Sequence, residues 1–336
     1  AKVVLGARSA IFAPVENLGV IIIDEEHDNS YVSESNPRYI TEDVAIWRGK
    51  YNNAPVILGS ATPKIESYQK ALNGEFKLIE LNERVNNLEM PCIQVVDMLN
   101  EVLDGNTSPY SRLLIAKLKE CVDNGKQAIL FINRRGYASF MMCRECGYIA
   151  KCDDCAVSLV YHSNEEELKC HFCGKRYRAL RNCPNCKSTS IKYGALGTQR
   201  VVNELQEIFP NVPIFRMDND TTRQKDGHKK ILMQFSQTSP SILVGTQMIA
   251  KGLDFPNVTL VGVINADTSL NIPDFRSSEN TFSLLSQVAG RSGRSSKMGS
   301  VIIQTFNPEH YAISLTKSHD YLSFYKQEMM IRRNLK

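Results

Sequence analysis

Residues 143–186, CRECGYIAKCDDCAVSLVYHSNEEELKCHFCGKRYRALRNCPNC, decide how the rest of this chain is interpreted. The chain has 10 cysteines, and all except Cys92 and Cys121 lie in this segment, as four Cys-x-x-Cys pairs. Two thiolates at this spacing can bind one tetrahedral metal ion from a tight turn, and a second pair completes its coordination shell. The segment therefore predicts a small inserted module with two all-cysteine zinc sites.

Spacing alone does not determine which pairs share a metal ion. We favour a nested arrangement, because residues 153–172 form a short arm that can fold back on itself. Sequential pairing along the chain is the alternative. The nested arrangement assigns one site to Cys152, Cys155, Cys170 and Cys173, and the other to Cys143, Cys146, Cys183 and Cys186.

A disulfide framework and iron–sulfur ligation are two other interpretations of the cysteines. The sequence starts without a secretory signal and surrounds the segment with an α/β pattern, which favours a reducing compartment. Four regular pairs also suit zinc better than an iron–sulfur cluster. Because so small a module buries little apolar surface, the metal ions would supply its folding free energy, about 10–16 kcal/mol each. Closed cysteine shells make their role structural rather than catalytic.

Length and composition indicate the number of domains and the general class of protein. A chain of 336 residues predicts two domains and a small additional one. Its hydrophobic content of 43% and charged content of 23% are typical of soluble globular proteins, and no apolar run is long enough to span a bilayer. The formal net charge of +4 is cancelled when the cysteine thiolates bind two zinc ions, so global charge does not decide whether nucleic acid is a partner.

The first catalytic motif follows a continuous apolar run at residues 18–23, which is typical of a buried parallel strand. The run ends in Asp24-Glu25-Glu26-His27. Ligands of open α/β sheets bind at the carboxyl ends of the strands. An aspartate there can hold Mg²⁺, and a neighbouring glutamate can orient or deprotonate a water. For this motif alone, a charged strand end followed by a turn is the alternative.

A second buried strand is predicted at residues 55–58, after a helix over Thr41–Tyr51. It ends in Gly59-Ser60-Ala61-Thr62-Pro63, a run of small residues that lets the backbone approach a ligand. Thr62 is predicted to cap the following helix, with Pro63 at its first position.

Beyond residues 82–108, which are predicted to be an inter-lobe linker, strands and helices alternate again to the end of the chain. Arg134 and Arg135 follow a predicted strand, and two further polar runs are residues 245–254 and 287–294. In the last run, two arginines held by glycines form a rigid fork for an anionic ligand. A basic surface turn is the alternative for each motif taken alone.

The cysteine-rich segment also carries a basic cluster with one aromatic residue. Such a cluster could contact a nucleic-acid backbone, or it could face the lobes or a protein partner. The cluster consists of Lys175, Arg176, Tyr177, Arg178 and Arg181.

Taken in order, residues 24–27, 59–62, 245–254 and 287–294 resemble motifs II, III, V and VI of superfamily 2 helicases. Together with a double-zinc module early in the second lobe, they make the chain similar to the PriA family of replication-restart DNA helicases. Further stretches that resemble this family are residues 6–10, 131–137, 274–277 and 304–310, so that the resemblance spans essentially the whole chain.

The resemblance implies an α/β fold with two RecA-like parallel-sheet lobes, the first one incomplete, and an inserted double-zinc module. The implied boundaries are 1–81 for the partial first lobe, 82–108 for the linker, 109–142 and 187–336 for the second lobe, and 143–186 for the module. The family's ligand pairing is nested.

The implied activity is that of an ATP-dependent 3′-to-5′ DNA helicase, which unwinds stalled forks and starts primosome assembly in the bacterial cytoplasm, at the nucleoid. The implied cofactors are ATP and Mg²⁺, beside two structural zinc ions. The implied partners are forked DNA, primosome proteins and single-stranded-DNA-binding protein, and no membrane.

The resemblance also implies roles for individual residues. Asp24 would hold Mg²⁺, Glu25 would activate the attacking water, and Ser60 and Thr62 would couple hydrolysis to lobe movement. Arg294 would be the arginine finger, with Arg291 as its rival. The remaining nucleotide-site residues would be Glu26, His27, Gly252, Asp254 and Gln287, and the DNA-contacting residues would be Gly6, Arg8, Arg135 and Thr246.

One part of the family pattern is missing from this sequence, the phosphate-binding loop Gly-x-x-x-x-Gly-Lys-Ser/Thr. None of its three Gly-Lys pairs, at residues 49–50, 125–126 and 174–175, is followed by Ser or Thr. We therefore expect a helicase fragment that lacks this loop, the amino-terminal DNA-binding domains and the carboxyl-terminal domain, and that hydrolyses no ATP alone. The alternative function is a non-enzymatic, zinc-stabilised module that binds DNA or primosome proteins.

Overall fold

A computed structural model describes residues 2–81, 90–133, 140–155, 157–162, 165–193, 197–218, 221, 227–246, 255–291 and 299–334. The chain divides into two compact units, Ala1–Leu81 (unit 1) and Asn82–Lys336 (unit 2). Within the described ranges, no helix is long and apolar enough to cross a membrane.

Unit 1 contains a short parallel sheet, a β-ribbon and two α-helices. Its elements are β1 (Ile21–Ile23), β2 (Val32–Ser33), β3 (Tyr39–Ile40), α1 (Thr41–Asn52), β4 (Val56–Leu58) and α2 (Ile65–Leu72), with 3-10 helices at Arg8–Phe12 and Asn29–Tyr31. Strand β1 pairs with β4 in parallel, and β2 pairs with β3 antiparallel. Ile11, Ile23 and Ala45 are the buried residues of its apolar core.

Helix α1 packs closely on the parallel sheet because residue 49 is a glycine. A Cβ atom at Gly49 would lie 2.6 Å from the Cγ2 atom of Val56 and 2.8 Å from the carbonyl oxygen of Ala54. Asn53, which has a φ of 52°, then ends the helix in the left-handed conformation. The tight turn returns the chain directly into β4, so the carboxyl ends of β1 and β4 meet at one edge of the sheet.

Unit 2 is larger and contains the remaining strands and helices. Its strands are β5 (Cys92–Asp97), β6 (Gln127–Phe131), β7 (Met141–Cys143), β8 (Val160–His162), β9 (Glu167–Lys169), β10 (Arg176–Arg178), β11 (Ile191–Tyr193), β12 (Ile214–Met217), β13 (Ser241–Gly245), β14 (Val258–Val263) and β15 (Ser300–Thr305). Its helices are α3 (Met98–Leu103), α4 (Arg112–Asp123), α5 (Thr198–Ile208), α6 (Gly227–Gln237), α7 (Asp267–Leu270), α8 (Ser277–Ala289), α9 (Tyr311–Lys317) and α10 (Tyr321–Asn334).

Six of these strands form a parallel sheet in the order β12-β13-β6-β14-β15-β5. Strands β6 and β13 are buried at every position, which explains their continuous apolar sequences. Leu118 of α4 and Leu205 of α5 belong to one apolar core, whereas Phe235 of α6 and Leu285 of α8 belong to a second one. Helices thus cover both faces of the sheet, and the predicted α/β class with RecA-like parallel sheets is confirmed.

Two local predictions differ from the structure. Within the predicted linker 82–108, residues 92–97 are the edge strand β5, paired in parallel with β15, and residues 98–103 are helix α3. The segment is therefore not a linker throughout. Helix α2 begins at Ile65 after an N-cap position at Lys64, so the prediction that Thr62 caps this helix is wrong.

The cysteine-rich segment packs on the carboxyl-terminal edge of the large sheet. Its strands β8, β9 and β10 form an antiparallel sheet, and β7 pairs with β11. Gly147, at a φ of 68°, lies so close to the ring of Phe306, just after β15, that a Cβ atom at Gly147 would be 2.6 Å from the Cβ of Phe306. The hydroxyl of Ser158 also lies 3.3 Å from Oδ1 of Asn271, just after α7.

Candidate metal centres and nucleotide-site motifs

The thiols of the cysteine-rich segment form two groups of four, in each of which all sulfur atoms lie within 4.8 Å of one another. One group is Cys143, Cys146, Cys183 and Cys186, and the other is Cys152, Cys155, Cys170 and Cys173. The structure therefore has the nested arrangement, and the sequential alternative is wrong.

The distances between the sulfur atoms match metal ligation rather than disulfides. The Sγ atoms of Cys143 and Cys186 are 3.5 Å apart, and those of Cys152 and Cys173 are 3.7 Å apart. Four sulfurs at ~2.3 Å from a tetrahedral zinc ion are ~3.8 Å from one another, whereas a disulfide joins two sulfurs at ~2.05 Å. All eight cysteines are unbridged thiols. The residues therefore fit two four-cysteine zinc sites.

Each Cys-x-x-Cys pair is held in the same backbone turn. In all four, the N–H of the first cysteine donates to the carbonyl oxygen five residues further on, at 2.8 to 2.9 Å. The four donor–acceptor pairs are Cys143 and Tyr148, Cys152 and Val157, Cys170 and Lys175, and Cys183 and Ser188. The turns thus point both thiols of a pair to one side.

Tyr177 belongs to one of the metal centres, although the sequence places it in a basic cluster. Its hydroxyl lies 3.4 Å from Sγ of Cys152 and accepts a hydrogen bond of 3.1 Å from the N–H of Asp153. A hydroxyl donor of this kind stabilises a thiolate ligand. No spacing rule links residues 152 and 177, so the sequence gives no signal of this contact.

The basic cluster itself is partly neutralised. Lys175 forms an ion pair of 3.2 Å with Asp154, and Arg176 forms ion pairs of 3.6 Å with Glu165 and 3.4 Å with Glu167. Exposed ion pairs of this type are weak and can be exchanged for a phosphate.

The second group of candidate residues lies in unit 1, where β1 and β4 end. The N–H of Gly59 donates to the carbonyl oxygen of Ile23 at 2.8 Å, and the N–H of Glu26 donates to the carbonyl oxygen of Gly59 at 3.0 Å. These bonds extend the strand pairing into the two loops. Asp24 and Glu25 are exposed at this edge, and Glu25 has a φ of 50°, an unusual conformation for a non-glycine residue that often marks a functional site.

His27 connects the two loops through side chains. Its Nδ1 atom lies 2.6 Å from the Oγ atom of Ser60 and 3.6 Å from a carboxylate oxygen of Glu25. The Ser60 hydroxyl also accepts a hydrogen bond of 3.0 Å from the N–H of Thr62. The predicted motifs II and III of unit 1 are therefore joined by direct contacts.

Glu26 has a different role from its neighbours. The residue is 2% exposed, and burial raises the pKa of its carboxyl group above the ordinary value. The carboxylate accepts hydrogen bonds of 2.7 Å from the N–H of Lys64 and 3.2 Å from the hydroxyl of Ser67, and so caps α2 from another loop. The sequence-based assignment of Glu26 to the nucleotide site stays a prediction beside this capping role. The sequence hints at this capping role of Glu26 only in that Lys64, which precedes Ile65, is not a residue that caps a helix with its own side chain.

The remaining predicted residues are dispersed, and four of them, Arg135, Gly252, Asp254 and Arg294, lie outside the described residues. Gln287 lies on α8 and Arg291 just beyond it, and both are half-buried. Thr246 follows β13 and is 8% exposed. Gly6 is exposed, whereas the guanidinium of Arg8 donates to the carbonyl oxygens of Ser30 and Val32 at 3.3 and 3.0 Å.

Two family models match the chain. One, for a helicase conserved C-terminal domain, matches residues 183–296, and the other, for the PriA DNA helicase Cys-rich region, matches residues 152–178. The replication restart protein PriA of Bacillus subtilis is 54% identical over 99% of this chain and 41% of its own length. Those of Synechocystis and Treponema pallidum are 44% and 42% identical over 99% of this chain and over 41% and 50% of their own lengths.

The chain thus spans about half the length of the curated relatives that it matches, or less. Among solved structures, RecG bound to a three-way DNA junction is 14% identical, with a TM-score of 0.46, over 93% of this chain and 30% of that one.

Proposed function

Since this chain belongs to the PriA family of replication restart proteins, we propose that it is the motor region of an ATP-dependent DNA helicase. The observation that carries the proposal is the edge of unit 1, where Asp24 and Glu25 are exposed at the end of β1 and His27 contacts Ser60 at the end of β4. An acidic pair at the carboxyl edge of a parallel sheet suits a nucleotide bound with a divalent cation.

The residues at this edge have different proposed roles in ATP hydrolysis. Asp24 would hold Mg²⁺, which would neutralise phosphate charge. Glu25 orients and deprotonates the attacking water, and its loop is fixed by the contact of His27 with Ser60 at 2.6 Å. A change at this contact moves both loops together, which is how Ser60 and Thr62 would couple hydrolysis to movement.

Unit 2 carries its own proposed nucleotide contacts. Arg291 and Arg294 would stabilise the charge that develops on the γ-phosphate, with Arg294 as the finger. The other proposed nucleotide contacts of this unit are Gly252, Asp254 and Gln287. The proposed DNA contacts are Gly6, Arg8, Arg135 and Thr246, which would bind phosphates of a single strand.

A full-length protein of this family that contains this region would translocate 3′ to 5′ on forked DNA and begin primosome assembly. Its partners would be primosome proteins and single-stranded-DNA-binding protein, at the bacterial nucleoid. The two zinc ions would keep the cysteine-rich module (residues 143–186) folded as a surface for DNA or for these partners. The proposed first lobe is residues 1–81, and the proposed second lobe is residues 109–142 and 187–336.

Substitution of Glu25 tests the proposed chemistry in the full-length protein. Glu25→Gln keeps the size of the side chain but removes the base, so that DNA-stimulated phosphate release should fall by about 10²- to 10⁴-fold while nucleotide binding persists. Glu34→Gln changes another exposed glutamate of unit 1 and should leave the rate unchanged. If Glu25→Gln kept the full rate, Glu25 would not be the base and the mechanism would be wrong.

For the chain as it stands, we propose that hydrolysis is absent, because its sequence holds no Gly-x-x-x-x-Gly-Lys-Ser/Thr loop to bind the phosphates. A malachite-green assay with ATP and forked DNA should detect no phosphate release. Clear DNA-stimulated turnover by this chain would contradict the proposal, without affecting the role of Glu25 in the full-length protein.

The second candidate function is a zinc-stabilised binding module without enzymatic activity. It is favoured by the same missing loop and by the exchangeable ion pairs of Lys175 and Arg176. Fluorescence anisotropy with labelled forked DNA and no ATP would support this function if Arg176→Ala and Lys175→Ala each weakened binding. Equal affinities for the wild type and both variants would remove this cluster from the interface.

A further inference from the structure

Two histidines of the cysteine-rich module lie against each other outside both four-cysteine centres. His162 ends β8, and His171 lies in the turn between the ligands Cys170 and Cys173. Their Nε2 atoms are 3.0 Å apart, and their rings are stacked at an interplanar angle of 29°. The two imidazoles therefore bring their Nε2 atoms together at the surface of the module.

The backbone fixes both histidines. His162 is paired with Glu167 in the antiparallel ladder between β8 and β9, and the N–H of Glu165 donates to the carbonyl oxygen of His162 at 3.2 Å. His171 is held by the turn in which the N–H of Gly174 donates to the carbonyl oxygen of Cys170 at 2.9 Å. The approach of the two rings thus depends on the fold of the module and on the turn that carries the metal ligands Cys170 and Cys173.

The distance between the two nitrogens is compatible with ligation of one metal ion by both imidazoles. Two nitrogen ligands at ~2.1 Å from a metal ion are ~3.0 Å apart when they subtend a right angle, and ~3.4 Å apart in a tetrahedron. The observed 3.0 Å fits the right angle. Tetragonal sites with nitrogen and oxygen ligands are typical of Ni²⁺ and Cu²⁺, whereas closed tetrahedral sites with four sulfurs are typical of zinc.

The charges around the pair are of both signs. The turn that follows His162 contains Glu165, Glu166 and Glu167, and the nearby Arg176 is the cation that pairs with Glu165 and Glu167 at 3.6 and 3.4 Å. Arg178 is the register partner of Glu167 in the ladder between β9 and β10, so charges of both signs lie near the imidazoles.

From this geometry we propose that His162 and His171 form a third metal site, an exchangeable one for a divalent transition metal of the Ni²⁺ or Cu²⁺ type. The two Nε2 atoms occupy adjacent corners of a tetragonal ion, and water fills the other positions. Because the protein supplies only two ligands and the site is exposed, this ion exchanges with solution, in contrast to the zinc ions of the cysteine centres. The competing arrangement is a hydrogen bond between the two rings, for which 3.0 Å is also a normal length.

A titration with NiCl₂ distinguishes the two arrangements. The chain is purified with its structural zinc, and Ni²⁺ binding is measured by calorimetry in a buffer that does not chelate metals. We expect one Ni²⁺ ion per chain, with affinity reduced by more than about tenfold in His162→Gln and in His171→Gln. His228→Gln, which changes a histidine on α6, should bind Ni²⁺ as the wild type does.

The zinc content, measured by mass spectrometry before and after the titration, shows whether the cysteine centres stay intact. His162→Gln is the more decisive variant, because His171 is flanked by two cysteine ligands and its substitution could disturb their turn. Absence of Ni²⁺ binding by the wild type would mean that the rings form only a hydrogen bond. Release of zinc on addition of Ni²⁺, or equal affinities for the wild type and His162→Gln, would also overturn the proposal.

Discussion

A single buried carboxylate, Glu26, holds together the two loops of unit 1 that carry the proposed catalytic residues. It lies in the loop after β1, yet it accepts hydrogen bonds from Lys64 and Ser67 at the start of α2. The loop with Ser60 lies between these elements and contacts His27. The position of the proposed water-activating residue, Glu25, therefore depends on the buried carboxylate next to it in the sequence.

We predict that Glu26→Ala destabilises unit 1 by about 1–3 kcal/mol, because the Lys64 N–H and the Ser67 hydroxyl lose their acceptor in a buried place. Glu26→Gln should cost less, since its amide oxygen can still accept from Lys64. Urea unfolding of the three proteins measures the difference. Glu34→Ala, at an exposed position, serves as control and should stay within about 0.5 kcal/mol of the wild type. An equal effect of Glu26→Ala and Glu34→Ala would contradict the capping role.

Asp218 is a second carboxylate whose contacts set its chemistry. Burial raises the pKa of its carboxyl group, but hydrogen bonds from Thr198, the N–H of Thr221 and the Arg216 guanidinium outweigh burial and lower the pKa from 3.8 to about 2. The guanidinium lies 2.6 to 2.7 Å from Oδ2 of Asp218. The ionised form is therefore favoured in the folded state, and it connects the start of α5 with the end of β12.

The lowered pKa predicts how stability depends on pH. The contribution of Asp218, about 2 kcal/mol for a shift of this size, is fully present above its unfolded pKa near 4 and is lost as the pH falls towards about 2. Asp218→Asn should therefore lower the unfolding free energy at neutral pH and narrow the difference from the wild type below about pH 4. Urea unfolding at several pH values measures both, with exposed Asp123→Asn as control. A difference that stayed constant down to pH 2 would contradict the prediction.

Functional residues can be predicted from the sequence when their residue type and their spacing along the chain are enough to identify their chemistry. The eight cysteines are found in this way, because two residues between two thiols are enough for a metal-binding turn. The partners of these residues are not found, since they are distant in the chain. Ser67 is 41 residues from Glu26, and Tyr177 is 25 residues from Cys152. Only the folded backbone brings such pairs together.

At the scale of elements, the contact between the first metal-binding turn and β15 joins the cysteine-rich module to the large sheet. Gly147 combines a φ of 68° with van der Waals contact to Phe306. Gly174 has a φ of 76° in the equivalent turn, but a Cβ atom added there would have nothing within 4 Å. Both glycines avoid backbone strain, whereas only Gly147 also avoids a steric clash.

These two glycines form a matched pair for a test. Gly147→Ala and Gly174→Ala should each cost about 1 kcal/mol for the left-handed backbone, but Gly147→Ala should also push the module away from the sheet. We expect faster limited proteolysis within residues 143–186 for Gly147→Ala than for Gly174→Ala, with partial rescue in Gly147→Ala/Phe306→Gly, which removes the Cβ atom of Phe306 as well as its ring. Equal proteolysis of the two single variants would mean that the contact with Phe306 does not hold the module.

The elements themselves are predictable to different degrees. Buried central strands such as β6 and β13 appear in the sequence as continuous apolar runs, because helices cover both faces of the sheet. The edge strand β5 resembles a linker in sequence, because it mixes apolar residues with Gln94 and Asp97 and follows Pro91. Pairing with β15 makes this segment a strand, and no local sequence pattern predicts that pairing.

At the scale of the whole molecule, the parallel sheet and the metal centres are stabilised by different means. The sheet of unit 2 has two apolar cores, which include Phe131, Leu118 and Phe235. The module has a much smaller core, around Leu159 and Leu168, which also contains the metal ligands Cys152 and Cys170. Binding of metal ions is therefore linked to folding of the module and not to folding of the sheet.

We predict from this division that removal of zinc unfolds the module and leaves the sheet folded. After treatment with a chelator and a thiol-reactive mercurial, about two zinc ions per chain should be released. Proteolysis should then become fast within residues 143–186, while the helical circular dichroism of unit 2 and its thermal unfolding transition persist. Cys121→Ser provides the control, since this buried thiol of α4 lies outside both centres and its loss should not change the zinc content. Global unfolding on zinc removal, or a module that stayed resistant to protease without zinc, would show that the metal ions do not stabilise the module alone.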